Sequence, residues 1–272
     1  MNLENFFISQ FEKKYIGDDA AVVGEMLYSK DAFFENVHFK RSWLSYYAIA
    51  KKAMLVNISD AVAMGATPLY ALLSVAMPKD ISRAAMQELA AGFKDAAEEF
   101  GITIIGGDTL SNTKLDITVT IISQSKKPLY RKGCKEGYML AYTGSLGRSA
   151  WDLKRLLNLG TIHKESKFSN IRLRSTFVTK ARRFLAAGMD ISDGLMHDLE
   201  KLTALNRIGV RFFRQIPKQV ACSGEEYEML VAFDPRHKKA LLRRAKQSRT
   251  PLNIFGIAAR NSYTNRCKAH HF

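Results

Sequence analysis

Seven carboxylates stand in short runs of small or turn-forming residues: Asp18, Asp19, Asp31, Asp60, Asp108, Asp190 and Asp193. Their settings include Gly17-Asp18-Asp19, Asn57-Ile58-Ser59-Asp60, Gly106-Gly107-Asp108-Thr109 and Asp190-Ile191-Ser192-Asp193-Gly194. Glycines at such places let backbone approach a ligand closely. Several oxygen donors gathered at one site are what a hard divalent cation such as Mg²⁺ needs. The pattern implies metal-dependent phosphoryl transfer.

Each run alone has a plainer explanation. Gly-Asp is ordinary turn chemistry, and Asp193 could serve only as a helix N-cap. Asp60 says more, because a carboxylate in a helix of small residues is expensive to bury unless paired or metal-bound. Asp108 follows the apolar run Ile102–Ile105, which puts an acid at a strand's carboxyl end, where open α/β sheets bind ligands. Together the runs point to function. His38, between Val37 and Phe39, is either a strand histidine or a ligand contact. Arg131 is either a surface arginine or a phosphate clamp, a task its planar guanidinium suits.

Other chemistries are excluded. No GxxxxGK[ST] occurs, and Gly144-Ser145-Leu146-Gly147 is not GxGxxG, which removes P-loop and dinucleotide-binding readings. No GxSxG elbow is present. Cys134, Cys222 and Cys267 are odd in number and widely spaced, so neither a zinc site nor a disulfide is expected, and the cytoplasm is the expected compartment. No apolar run approaches the roughly 18 residues of a membrane span, and no secretory pattern opens the chain. The formal charge is +15, concentrated in residues 201–272, which hold 15 Lys and Arg against 4 acids. No aromatics interleave with the basic runs Arg236-His237-Lys238-Lys239 and Arg243-Arg244-Ala245-Lys246, so a solvated helix face is favoured over nucleic acid. An anionic small substrate is a third use for the field.

The elements that must position these acids read as mixed α/β. Strands are expected at Ala20–Gly24, Leu69–Met77, Ile102–Ile105, Leu115–Ile121, Tyr138–Thr143, Tyr227–Phe233 and Asn253–Ala258. Helices are expected at Trp43–Ala66, Ser82–Phe100, Ser149–Leu159, just before Asp190, at Leu195–Asn206 and at Arg236–Gln247. On the first helix, Asn57 and Asp60 share a face. The polar stretch Arg131–Gly137 suggests two domains, 1–136 and 137–272.

The same motifs resemble, in order, those of the thiamine-monophosphate kinase family, within the aminoimidazole-ribonucleotide-synthetase-like superfamily. The resemblance runs from Gly17-Asp18-Asp19 through Asn57-Ile58-Ser59-Asp60…Met64-Gly65-Ala66 and Gly106-Gly107-Asp108-Thr109. It continues through Asp190-Ile191-Ser192-Asp193-Gly194-Leu195 to Ser223-Gly224-Glu225-Glu226-Tyr227-Glu228. It implies a two-domain α+β fold whose N-terminal sheets pair across a homodimer into a barrel, with a C-terminal α/β domain. It also implies ATP-dependent phosphorylation of thiamine monophosphate to thiamine diphosphate. By motif matching, Asp19, Ser29, Asp31, Asp60, Asp108, Asp190 and Asp193 would hold Mg²⁺. Gly107, Asp108, Arg131 and Ser192 would contact ATP, and His38 and Glu225 would face the thiamine substrate. No catalytic base is assigned, because a phosphate nucleophile is already anionic and needs alignment and charge neutralisation instead.

Two departures from the family pattern stand out. Ser29-Lys30-Asp31 replaces the usual Ser-Thr-Asp, so position 30 could ligate only through its backbone. Ser223-Gly224-Glu225-Glu226 replaces Gly-Gly-Glu-Asp. The family's substrate-stacking aromatic is not placed within Asn261–Phe272. The rival readings are another ATP-using synthetase of the superfamily and a non-catalytic basic binding protein on the same fold.

Overall fold

The structure, a computed structural model, describes residues 3–267, so the His270-His271 tail lies outside it. A short helix α1 (Leu3–Ile8) precedes the first sheet, which contains β1 (Ala21–Val23) and β2 (Met26–Phe34). Then come helix α2 (Tyr46–Ala63), β3 (Thr67–Pro78), helix α3 (Arg83–Phe100), β4 (Thr103–Asn112) and β5 (Asp116–Gln124). The sheet order is β1-β2-β5-β3-β4, antiparallel except for β3 and β4. Those two are parallel because α3 crosses over between them.

The second sheet is built from β6 (Met139–Thr143), β7 (Ala187–Ile191), β8 (Gly209–Phe212), β9 (Glu228–Phe233) and β10 (Leu252–Ala259). Its order is β7-β9-β6-β10-β8. Its helices are α4 (Arg148–Leu157), α5 (Ser175–Ala181), α6 (Leu195–Asn206), α7 (Lys218–Ala221) and α8 (Lys238–Gln247).

Helix α2 organises the molecule. The Ser45 side chain caps its start by accepting from the Ala48 N–H. Its apolar residues run around the whole cylinder, as in a helix buried on all sides. It touches β2 and β5 of the first sheet and β7 of the second. One core joins its Ala50, Met54 and Ile58 to Ile117, Val119 and Ile121 of β5 and to Val231 and Phe233 of β9. Helix α3 presses closely on α2: a side chain at Gly92 would come within 2.2 Å of the Tyr47 carbonyl oxygen.

Several expectations need correction. Gly106-Gly107-Asp108 is not a turn after a short strand but the middle of β4, whose ladder with β3 continues to Asn112. Only glycine fits there, because Gly107 has φ near +150° and a Cβ would meet the Leu73 carbonyl at 1.6 Å. His38 lies in the turn after β2, not in a strand. Asp190 belongs to β7, which sequence patterning misses because all five of its residues are buried and two are the weak strand formers Ala and Gly. Strands β2 and β8 and helices α1 and α7 were also missed. Cys222 and Cys267, 45 residues apart, are joined as a disulfide with Cα atoms 5.5 Å apart, contrary to the expected absence of one. Sequence separation carried no information about that closeness, because the chain after β10 folds back beside α7.

Candidate active site

Strand β2 explains how polar residues reach the interior. Its alternation puts Leu27, Ser29, Asp31 and Phe33 on the face towards α2, and Tyr28, Lys30 and Ala32 on the other. Asn57 of α2 is fully buried and ties the two elements together. Its Oδ1 accepts from the Asp31 N–H at 2.6 Å, and its carbonyl accepts from the Ser29 hydroxyl at 3.3 Å.

Three carboxylates converge next to this junction. Asp19 from the loop before β1, Asp60 from α2 and Asp190 from β7 each offer an oxygen, and these atoms all lie within 4.8 Å of one another. The Ser59 hydroxyl donates to Asp190 Oδ2 at 2.7 Å. Arg131 donates to Asp19 Oδ1 through Nε at 3.0 Å and through Nη2, while its backbone N–H donates to Asp18 Oδ1 at 2.7 Å. The Asp19 carboxylate is 1 % exposed, and its Oδ2 has no hydrogen-bond partner.

The electrostatics are those of an under-compensated anionic cage. Burial pushes Asp19 up to about 7, with Arg131 opposing and Asp190 adding to the rise. Burial, then Asp190 and Asp193, lifts Asp31 to about 6. Asp60 is held well above the carboxylate range by burial and then by Asp31, Asp190 and Asp19. Asp190 is raised by burial against the lowering pull of Ser59 and Arg131. Like charges this close disfavour joint ionisation. An all-oxygen donor set with an orphaned buried oxygen fits a hard divalent cation.

Asp193 lies beside this group. Its carboxylate takes a proton donor from Lys201 at 2.5 Å, and its N–H donates to Asp198 Oδ2 at 3.1 Å. The N-cap of α6 is Gly194 instead. The expected ligands Ser29, Asp31, Asp60, Asp190 and Asp193, with Arg131 and Ser192, all line one cavity of about 720 Å³.

Gly107 and Asp108 do not join them within the chain. Register runs from Asp31 through Val119 and Leu73 to Gly107. That is three strand steps, roughly 14 Å at about 4.8 Å each. Asp108 pairs with Ser74, which pairs with Thr118, so by strand alternation it lies on the sheet face away from α2. It is exposed, and its Oδ1 accepts from the Thr109 N–H.

A second cavity of about 420 Å³ shares Val37, His38, Ser192, Asp193 and Glu225 with the first, and adds Trp43, Leu153, Leu157 and Phe168. The two form one groove, acidic at one end and aromatic at the other. His38 Nδ1 accepts from the Phe34 N–H at 2.9 Å, and its ring stacks on Phe33 with centroids 5.6 Å apart. A ring with Nδ1 as acceptor carries its proton on Nε2 when neutral. Trp43 meets Phe168 edge-on at 6.3 Å.

Sequence reasoning missed Trp43, Phe168 and, beneath them, Lys52. The lysine is fully buried and donates to Glu225 Oε2 at 2.9 Å. One signal could have found it: Lys52 precedes Ser59 and Asp60 by seven and eight residues, two helical turns along the same face.

Fold and site together define a protein of the aminoimidazole-ribonucleotide-synthetase type. Residues 17–124 match the family model for AIR synthase related protein, N-terminal domain. The chain is 30% identical over 226 residues to the thiamine-monophosphate kinase of Nitrosopumilus maritimus, covering 76% of this chain and 73% of that one. It is 32% identical over 210 residues to that of Aquifex aeolicus, covering 74% and 68%. The chain belongs to the thiamine-monophosphate kinase family. The solved structure of AaThiL complexed with AMPPCP and TMP superposes with a TM-score of 0.88 at 24% identity, covering 99% of this chain and 96% of that one. A HypE–HypF complex reaches a TM-score of 0.81 at 17% identity, so the fold alone does not fix the substrate. Among the described residues, no helix is long and apolar enough to cross a membrane.

Proposed function

We infer that this protein is an ATP-dependent kinase that phosphorylates thiamine monophosphate to thiamine diphosphate. The observation that carries the reading is the convergence of Asp19, Asp60 and Asp190 at one end of a groove whose other end is aromatic. A substrate with a phosphate at one end and two heteroaromatic rings at the other suits such a groove.

Asp19, Ser29, Asp31, Asp60, Asp190 and Asp193 would hold Mg²⁺, which when bound neutralises the charge shared by ATP and the acceptor phosphate and aligns them. Arg131, anchored by Asp19, presents a fixed cation towards ATP, and Ser192 at the end of β7 faces the same cavity. His38 and Glu225 line both parts of the groove and would orient the thiamine moiety. The acceptor phosphate is already anionic at neutral pH, so no residue is assigned as a base. Alignment and charge neutralisation carry the rate.

The face of the first sheet opposite α2 supports a homodimer. Tyr28, Tyr70, Leu72 and Leu110 are exposed there, with Ile122 between the two tyrosines in register. Two such faces packed together would make the barrel that the family resemblance implies, and Asp108 would lie against the second copy. The division into 1–136 and 137–272 and a cytoplasmic setting, where ATP is available, belong to the same reading.

An ADP-release assay tests it, with thiamine monophosphate set against thiamine and other phosphorylated acceptors. Turnover is expected with thiamine monophosphate and Mg²⁺ together. Turnover only with a different phosphorylated acceptor would overturn the substrate assignment.

A further inference from the structure

We propose that Lys52 is a positioning residue that reserves Glu225 for the ring end of the substrate. The inference rests on the functional reading above. Lys52 enters from α2 and has no exposed surface. Its Nζ donates to Glu225 Oε2 at 2.9 Å, bridging 173 residues of sequence. The ammonium also sits 3.6 Å from the Phe168 ring centroid and 5.7 Å from that of Phe33. A desolvated cation over an aromatic face is attracted to it, but a buried lysine without an anionic partner is strongly disfavoured. Burial indeed depresses the Lys52 pKa, with Glu225 opposing that shift.

Glu225 is fixed from the other side as well. Its backbone is left-handed at φ +53°, and its N–H donates to the Ser192 carbonyl at 2.6 Å. Two residues on, Tyr227 is also left-handed and donates to the Ile191 carbonyl at 2.8 Å. Such backbone persists only where surroundings over-determine it. The Glu225 side chain is 24% exposed and lines both parts of the groove. With Oε2 engaged by Lys52, Oε1 is left for a donor in the groove, such as the amino group of an aminopyrimidine.

The lysine solves an electrostatic problem. Glu225 borders a cavity that already holds Asp19, Asp31, Asp60 and Asp190. Without an internal cation, it would turn from those acids or join them as one more metal ligand. Lys52 neutralises it from below and holds it at the aromatic end, beside Phe168.

The test is a double-mutant cycle of Lys52→Met and Glu225→Gln, read by steady-state kinetics with thiamine monophosphate and ATP varied separately. Methionine keeps the volume and removes the charge. Lys52→Met is expected to raise KM for thiamine monophosphate about 30-fold and to leave KM for ATP within about twofold. The double variant is expected to be no worse than the more damaged single one, because both changes remove the same interaction. Melting temperatures of all four proteins, measured with Mg²⁺-ATP present, separate folding from function. Equal rises in both KM values, or effects that simply add, would overturn the assignment and leave the kinase reading intact. A wild-type protein that does not turn over thiamine monophosphate would instead remove that reading, and this inference with it.

Discussion

Asp190 and Asp108 have the same kind of sequence setting, an acid within two residues of Gly and of Ser or Thr, yet the fold treats them oppositely. Asp190 is buried on β7, within reach of Asp19 and Asp60, and takes a hydrogen bond from Ser59. Asp108 is exposed in the middle of β4, on the sheet face turned away from that cluster. Local sequence therefore announces that an acid is unusual without saying which cluster, or which copy of the chain, it serves. The Gly106-Gly107 backbone, which only glycine can adopt, still marks the β4 position as built for close approach.

The largest effects should come from the acids themselves. Asp190→Asn and Asp108→Asn are each expected to lower kcat about 10³-fold or more, because each weakens the hold on the Mg²⁺ that neutralises the phosphates. Full activity of Asp108→Asn at saturating Mg²⁺ would reduce the β4 motif to a structural device. Chelation with EDTA should abolish turnover, and Mg²⁺ should restore it.

Mixing the two variants sharpens the contrast. If Asp108 completes the site of the second copy, a heterodimer of Asp190→Asn with Asp108→Asn contains one intact site. Random reassociation should then restore about a quarter of wild-type activity. No recovery would place Asp108 in its own chain's site.

What the sequence made legible follows the same division. Helix α3 was readable end to end: its apolar stripe, its Ser82 cap and the left-handed Gly101 agree with one another. Helix α2 was readable because small and apolar residues fill it and Pro68 follows. Strand β2 was not, because the core-facing positions that would announce a strand are taken by Ser29 and Asp31, which serve the groove. Strand β7 hid for the opposite reason, being buried on both faces with no alternation to read. The convergence of Asp19, Asp60 and Asp190 could be expected from motif order. Lys52 left one trace, its spacing two helical turns before Ser59 and Asp60, but its pairing with Glu225 in the other half of the chain left none.

A smaller effect distinguishes the two acids before any catalysis. A carboxyl whose folded pKa exceeds its unfolded value keeps its proton in the folded protein between those values, so raising pH through that interval favours unfolding. Asp19 rises from 3.8 to about 7 and Asp31 from 3.8 to about 6, which sets the window at roughly pH 4–7. The metal-free protein should therefore melt about 5 °C lower at pH 8 than at pH 5.5, a loss of about 2 kcal/mol. Mg²⁺ should erase the difference. Asp190→Asn should raise the metal-free melting temperature at pH 8, whereas Asp108→Asn should leave it unchanged. A melting temperature flat in pH would mean that burial and neighbouring carboxylates do not hold Asp19 and Asp31 protonated in solution.

The smallest effect belongs to the aromatic end. His38 is held by the Phe34 N–H and stacked on Phe33, so its ring lines the groove in a fixed orientation. His38→Ala removes that ring and leaves every carboxylate of the site in the sequence. KM for thiamine monophosphate should rise about 10-fold, with KM for ATP within about twofold, as expected for a contact made to one substrate only. The His38 ring also covers Phe33, so a structural role would lower the melting temperature and change both KM values alike. Kinetics of His38→Gln discriminate further: its amide nitrogen reaches the region of the imidazole Nε2 and should recover part of the loss, while a purely packing role gains nothing from it.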